Sequence, residues 1–424
     1  MPTPTETLKR IERALPAIIQ NFGTPVYVYD EQGILDRGTA LIRAMRHLPG
    51  GFQQFYAVKA WNNPANLRLQ QRMGFGFDCS SMYEMHLVEL IGNTRGRFIL
   101  TSNNSRSEWF EEANRQGGII NLDDISLIKK VRDFPRQICF RINPGDKVSL
   151  PGMRLQSFGK TKKQKYGIMW EEIAKAYGLA KRRGAEIFGI HMMIGSNCRD
   201  EKYFFNILKL LLKACEIVEK ATGEQVLFID VGGGFGIPYR PGEPELDMNR
   251  IGEVYAEILS AFMRLHGYAP TLYTEMGRWM TGPFGVLIAK VINRKEIYQT
   301  HVGLDVGMNG LMRHGMYGAY HEVKIYGSEG RRKMEVVNGV GQICENIDRI
   351  VTQRTLPVSR IGDHWFIQDT GAHGIVMVFR YNGTMAPPEV MLRTDEQLEL
   401  IRRAETHDDL DATLRFEPKV VKAY

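Results

Sequence analysis

A lysine that closes an apolar run is the first residue able to do covalent chemistry. In Phe55-Tyr56-Ala57-Val58-Lys59-Ala60-Trp61 a strand-like stretch buries its neighbours and leaves the Lys59 amine at the strand end. A desolvated amine gives up its proton more readily and then attacks an aldehyde. A lysine that only snorkels to water would have the same local sequence, so other groups must decide. They are Asp78 in Phe77-Asp78-Cys79-Ser80-Ser81, the run Gly232-Gly233-Gly234-Phe235-Gly236, Glu275-Met276-Gly277-Arg278, Cys344-Glu345, and Asp369-Thr370-Gly371-Ala372-His373. Glycines after an apolar strand let backbone amides close around a phosphate. Pro238 and Pro241 follow too soon for the helix that a dinucleotide-binding turn would open. A buried glutamate can keep an aromatic ring nitrogen protonated, and an arginine one turn away suits a phosphate. A surface ion pair is the plainer account of Glu275 and Arg278.

The elements that must carry these groups are legible as alternating patterns. Leu8, Ile11, Leu15, Ile18 and Phe22 fall at helical spacing and Gly23 stops the run, so a helix, with a kink expected at Pro16, precedes a strand at 26–29. Short apolar runs at 54–59, 74–78, 98–102, 119–123, 138–143, 188–195, 226–232 and 272–277 then alternate with helical patterns. Eight such strands predict a (β/α)₈ barrel, whose functional residues gather at the C-terminal strand ends. Lys59, Asp78, His191, the glycine run and Glu275 all fall there. Beyond residue 280 the texture turns to strands without long helices, at 286–292, 321–326, 334–340 and 365–369. The expected division is a barrel over 26–277 and a β-rich domain made of 1–25 and 278–424.

Composition narrows the class. The 424 residues are 43% hydrophobic and 24% charged, and domains of about 100–200 residues imply two or three of them. No apolar run approaches the roughly 18 residues of a membrane span, and Met1-Pro2-Thr3-Pro4 does not begin a signal peptide, so a cytoplasmic protein is expected. Cys79, Cys139, Cys198, Cys215 and Cys344 lack the spacing of a disulfide framework or a zinc site and read as free thiols. The net charge of +7 is scattered except in the basic loop at 145–165, which reads as a solvated, mobile segment and not as a nucleic-acid surface.

Together the motifs resemble those of the pyridoxal-phosphate-dependent decarboxylases of the alanine-racemase type, most closely their diaminopimelate decarboxylase branch, from Thr24 to Leu392. The resemblance implies a TIM barrel followed by a β-sandwich or β-barrel domain. It assigns covalent attachment of pyridoxal 5'-phosphate to Lys59 and its pyridine nitrogen to Glu275. Asp78, His191, Met193, Ser196, Gly232, Gly233, Gly234, Gly277, Arg278 and His373 would surround the cofactor. Arg278, Arg313, Tyr317, Glu345 and His373 would bind an amino-acid substrate, and Cys344 would come from the partner subunit of a homodimer to protonate the α-carbon. No metal, nucleic acid or membrane is implied. Three positions depart from the family pattern: Met276 replaces a proline, Met193 replaces a histidine that stacks on the cofactor, and His373 replaces a tyrosine. The last two also occur in a branch with D-ornithine and D-lysine decarboxylases. The implied reaction is meso-diaminopimelate to L-lysine and carbon dioxide, with D-ornithine/D-lysine decarboxylation or a non-catalytic regulatory homologue as alternatives. A racemase would pair the ring nitrogen with arginine, and Glu275 argues against it.

Overall fold

The computed structural model describes residues 3–92, 96–147, 161–328, 330–331 and 333–418. Most of the basic loop, 148–160, lies outside the described residues; of its remainder, Lys162 pairs with Asp146. The chain divides into two compact units, residues 32–283 and residues 2–31 with 284–424.

In the first unit eight parallel strands form a closed barrel: β2 (Phe52–Ala57), β3 (Gly76–Cys79), β4 (Phe98–Ser102), β5 (Ile119–Leu122), β6 (Gln137–Asn143), β8 (Ile187–His191), β9 (Val226–Asp230) and β10 (Thr271–Thr274). The two-residue β7 (Ile168–Met169) adds to the edge of β6. Closure runs through β5 with β6 on one side and β2 with β10 on the other. This is the TIM-type architecture that the alternation predicts. Helices α2 (Glu31–Met45), α3 (Pro64–Arg72), α4 (Met82–Leu90), α5 (Ser107–Arg115), α6 (Ile173–Arg182), α7 (Glu201–Thr222) and α8 (Met248–His266) supply the crossovers, and α9 (Arg278–Thr281) follows the last strand. Several start where a side chain caps the first amides, Asn63 for α3, Ser81 for α4 and Asp247 for α8.

The second unit centres on a nine-stranded sheet. The first strand, β1 (Val26–Asp30), lies between β11 (Gly285–Glu296), antiparallel, and β17 (Glu389–Leu392), parallel. The other members are β12 (Thr300–Leu304), β13 (Val323–Tyr326), β14 (Met334–Val340), β15 (Arg349–Pro357), β16 (His364–Ile367) and β18 (Leu398–Arg402). The short helices α10 (Arg313–Tyr317) and α11 (His407–Asp411) complete it. Helix α1 (Thr5–Phe22) buries Leu8, Ile11, Leu15 and Ile18 against Val26, Val28, Val286, Ile288 and Val390. Its assignment is continuous through Pro16, which sits on the exposed face where the missing N–H costs least. The chain passes from one unit to the other near residues 31 and 283. The reason is pairing: β1 exchanges backbone hydrogen bonds with β11 and β17, and α9 stays with the barrel.

Candidate active site

Strand register assembles the site in the barrel. Ala57 pairs with Asp78, Thr101 with Asn121, Arg141 with His191, and His191 with Asp230, so residues far apart in sequence share the C-terminal mouth. Lys59 lies in a short 3₁₀ turn directly after β2, its side chain 38% exposed, and its Nζ donates to Asp78 Oδ2 and, at 3.5 Å, to Ser80 Oγ. Burial by itself would make this ammonium more acidic. The carboxylates of Asp78 and then Glu275 outweigh it and hold the proton on. Asp78 is fully buried, which pushes its carboxyl up, with Glu275 adding to the effect and Lys59 opposing it. Nearby Glu84, whose Oε2 accepts from the Ser80 amide, is raised to about 7 by burial.

Opposite Lys59, Glu275 follows β10 and is 3% exposed. Its Oε2 lies 3.4 Å from His191 Nε2. Burial opposes ionisation of Glu275, but His191, then Lys59 and Arg141, turn the balance and depress its carboxyl. Asp230 is driven the other way by burial and by the neighbouring Glu275. Ligand atoms of His191, Asp230 and Glu275 lie within 4.8 Å of one another, a spacing a metal ion could bridge. The amide Nδ2 of Asn121, however, donates to His191 Nδ1 at 2.9 Å, which leaves the ring proton on Nε2 and removes the lone pair a metal would need there.

The glycine run is a cradle. Gly232 and Gly234 have φ of +71° and +84°. A Cβ on Gly233 would stand 2.5 Å from the Glu275 carbonyl oxygen, and one on Gly234 would stand 2.4 Å from that of Gly195. Among the described residues the Gly233 and Gly234 amides meet no acceptor. Arg278 is half-buried and its Nη1 donates to the Tyr239 hydroxyl. Gln54 clamps the intervening Met276 through its carbonyl at 2.7 Å.

These groups fit pyridoxal phosphate. The buried Glu275 Oε1 and Asp78 Oδ1 have no hydrogen-bond partner, and a protonated pyridine nitrogen would satisfy such a carboxylate. The glycine amides and Arg278 suit the phosphate. Met193 is half-buried beside the glycine run, its Cβ 2.7 Å from where a Cβ on Gly232 would be, and its carbonyl accepts from Arg141 at 2.7 Å. Ser196 is half-buried on the same loop, and Gly277 packs so close to Ala57 and Ala60 that no side chain fits.

The remaining expected site residues lie in the second unit. Arg313, 6% exposed at the start of α10, donates from Nη1 to His321 Nε2 at 2.8 Å, and His321 Nδ1 donates to the Gln368 carbonyl at 2.7 Å. Tyr317 is exposed. His373 is half-buried at φ +56°. Cys344 and Glu345 are exposed on a loop anchored by Asp348, whose carboxylate accepts from the amides of Met308 at 2.6 Å and Ile343 at 2.9 Å.

A profile of the pyridoxal binding domain of pyridoxal-dependent decarboxylases matches residues 38–282, more than half of the chain. The chain belongs to the pyridoxal-dependent decarboxylases. It is 35% identical to Protein TabA of Pseudomonas amygdali pv. tabaci over 423 residues, 99% of this chain and 97% of that one. It is 32% identical to the diaminopimelate decarboxylase of Methanothermobacter thermautotrophicus over 397 residues, 93% and 92% of the two chains. The crystal structure of the M. jannaschii diaminopimelate decarboxylase with L-lysine has a TM-score of 0.86 at 27% identity, covering 95% of this chain and 94% of that one. This decarboxylase is thus a lyase that acts on an amino acid with pyridoxal 5'-phosphate as cofactor. No helix among the described residues is long and apolar enough to cross a membrane.

Sequence reasoning passed over Thr101, Asn121, Asp230, Glu84 and Tyr239 as site residues. Two carried a signal. Asn121 is the polar residue in the buried strand Ile119-Ile120-Asn121-Leu122, and Asp230 ends an apolar one.

Proposed function

We propose that the enzyme decarboxylates meso-diaminopimelate at its D-configured centre to give L-lysine. The observation that carries this reading is Arg313, a buried guanidinium steadied by a neutral imidazole nitrogen, which suits a distal carboxylate. Diaminopimelate decarboxylases among the relatives at 32% and 33% identity support it. When bound, pyridoxal phosphate supplies an electron sink for the pair released as the α-carboxylate leaves. Lys59 would hold the cofactor covalently, Asp78 would steady the proton on Lys59 Nζ, and Glu275 would hold a proton at the ring nitrogen. The glycine amides and Arg278 would fix the phosphate, while Met193 would cover a ring face with a polarisable thioether.

The exposed Cys344 would return a proton to the α-carbon of a partner subunit's substrate, so we propose a homodimer with shared sites. The β-rich unit would build that interface. A cytoplasmic location rests on the five free cysteines. Mixing Lys59→Ala with Cys344→Ala subunits should restore activity to one site per heterodimer; no recovery despite demonstrated subunit exchange would refute the shared site.

A second reading is decarboxylation of D-ornithine or D-lysine, favoured by Met193 and His373. Specificity constants for meso-diaminopimelate, D-lysine and D-ornithine separate the two. A preference for either diamine-forming substrate would overturn the first reading and leave the decarboxylase chemistry intact.

A further inference from the structure

Asn121 lies inside the apolar run at 119–123 and belongs to none of the chemical motifs read in the sequence, yet it joins two buried groups. Its Nδ2 donates to Thr101 Oγ1 at 3.1 Å and to His191 Nδ1 at 2.9 Å, and Asn121, Thr101 and His191 are all in the barrel's buried interior. The register that pairs Thr101 with Asn121 fixes the amide from one side. An amide nitrogen can only donate, so the Nδ1 that receives it must present a lone pair. The single proton of a neutral ring is then on Nε2, 3.4 Å from Glu275 Oε2.

We propose that Asn121 is a positioning residue that locks His191 in its neutral Nε2–H tautomer, so that the imidazole donates to Glu275 without bringing a positive charge into competition with the cofactor's ring nitrogen. A cationic His191 would satisfy Glu275 as an ion pair and weaken its hold on that nitrogen. A neutral Nδ1–H ring would turn a lone pair toward the carboxylate and repel it. Only the Nε2–H form supports Glu275 and leaves its charge available. The groups facing the ring are Asp230 on β9, Glu275 after β10, Asp78 on β3, Asp123 after β5, Arg141 on β6 and Asn121 on β5. Arg141 opposes a second cation here, whereas the carboxyl groups of Asp78, Asp123, Asp230 and Glu275 favour one, so the direction of the Asn121 amide decides.

The consequence for the reaction rests on the reading of Glu275 as the partner of the ring nitrogen; the tautomer does not. The test begins with ¹⁵N-histidine-labelled full-length protein, with and without cofactor, assigning His191 by comparison with His191→Gln. In both forms His191 should show one protonated and one lone-pair nitrogen, with the proton on Nε2. In Asn121→Asp, where the acceptor oxygens call for a proton on Nδ1, both nitrogens should be protonated. In the holoenzyme of that variant kcat should fall about 10- to 100-fold, the usual cost of misorienting a histidine's outer partner, with KM changed less than about 3-fold and the cofactor's absorbance band displaced. An imidazolium or an Nδ1–H ring in the parent protein overturns the proposal, and that measurement needs no variant to fold. An unchanged ring in Asn121→Asp overturns it as well. If the tautomer is as stated but Glu275→Gln leaves the cofactor band unmoved, the assignment of Glu275 falls and the role of Asn121 toward His191 stands.

Discussion

The barrel mouth and the Arg313 cluster bury charge in opposite ways. In the barrel, Asp78, Asp230 and Glu275 are each 3% exposed or less, and each has a carboxylate oxygen without a hydrogen-bond partner. In the β-rich unit the buried Arg313 guanidinium donates to His321 and His321 to the Gln368 carbonyl, and the neighbouring Asp369 keeps one carboxyl oxygen without a partner. An unsatisfied buried polar atom costs roughly 1–3 kcal/mol, and the unpartnered carboxylate oxygens of the barrel mouth are a cost that a bound cofactor would relieve. We propose that the first region serves chemistry and the second recognition. Substitutions in the first should act on cofactor state and turnover, and in the second on substrate choice.

The largest effect expected is at Lys59. Lys59→Ala should reduce turnover by roughly 10⁴-fold or more, as loss of a nucleophile does, and borohydride reduction followed by peptide mapping should find no cofactor adduct. An adduct on another lysine in the parent protein would move the site away from Lys59.

Arg313→Ala comes next and should leave the cofactor spectrum untouched. It should lower kcat/KM for meso-diaminopimelate by about 2–5 kcal/mol, the cost of removing one member of a buried charge pair, and change D-lysine turnover little. Equal losses on both substrates would break the division between chemistry and recognition.

Glu275→Gln should keep the cofactor bound and slow decarboxylation about 10²-fold, a typical loss for one preorganised electrostatic group. Arg278→Ala should instead weaken cofactor binding, measured by titration of the apoenzyme. Exchange of the two phenotypes would show that the roles are reversed.

The smallest effect concerns stability. Burial raises Glu84 from 4.5 to about 7, so the folded state prefers the protonated acid. Its contribution is fully present below the unfolded value and is lost as pH rises through about 7. The apoenzyme should lose about 3 kcal/mol between pH 4.5 and pH 8 from this group, and Glu84→Gln should flatten that part of the profile in urea melts. A profile unchanged by the substitution would mean that Glu84 is ionised throughout.

Legibility followed periodicity. All eight barrel strands were readable because each is a short apolar run bounded by turn residues, and Lys59, the glycines and Glu275-x-Gly-Arg278 were readable because each follows directly on a strand. Asn121, Thr101 and Asp230 were not, because their meaning depends on which strand lies beside which. A strand at 26–30 looks the same in sequence whether it opens a barrel or joins the sheet of β11 and β17.

By itself the sequence determined the class of chemistry and the alternation of elements, since both are written in local residue types and spacing. Only the tertiary structure decided the proton inventory. The burial and neighbouring charge that push Glu275 down and Asp230 up, and the Asn121 amide that meets His191 Nδ1, depend on distances of a few ångströms in a water-poor interior, set by barrel register between residues such as Asn121 and His191, 70 positions apart in the chain.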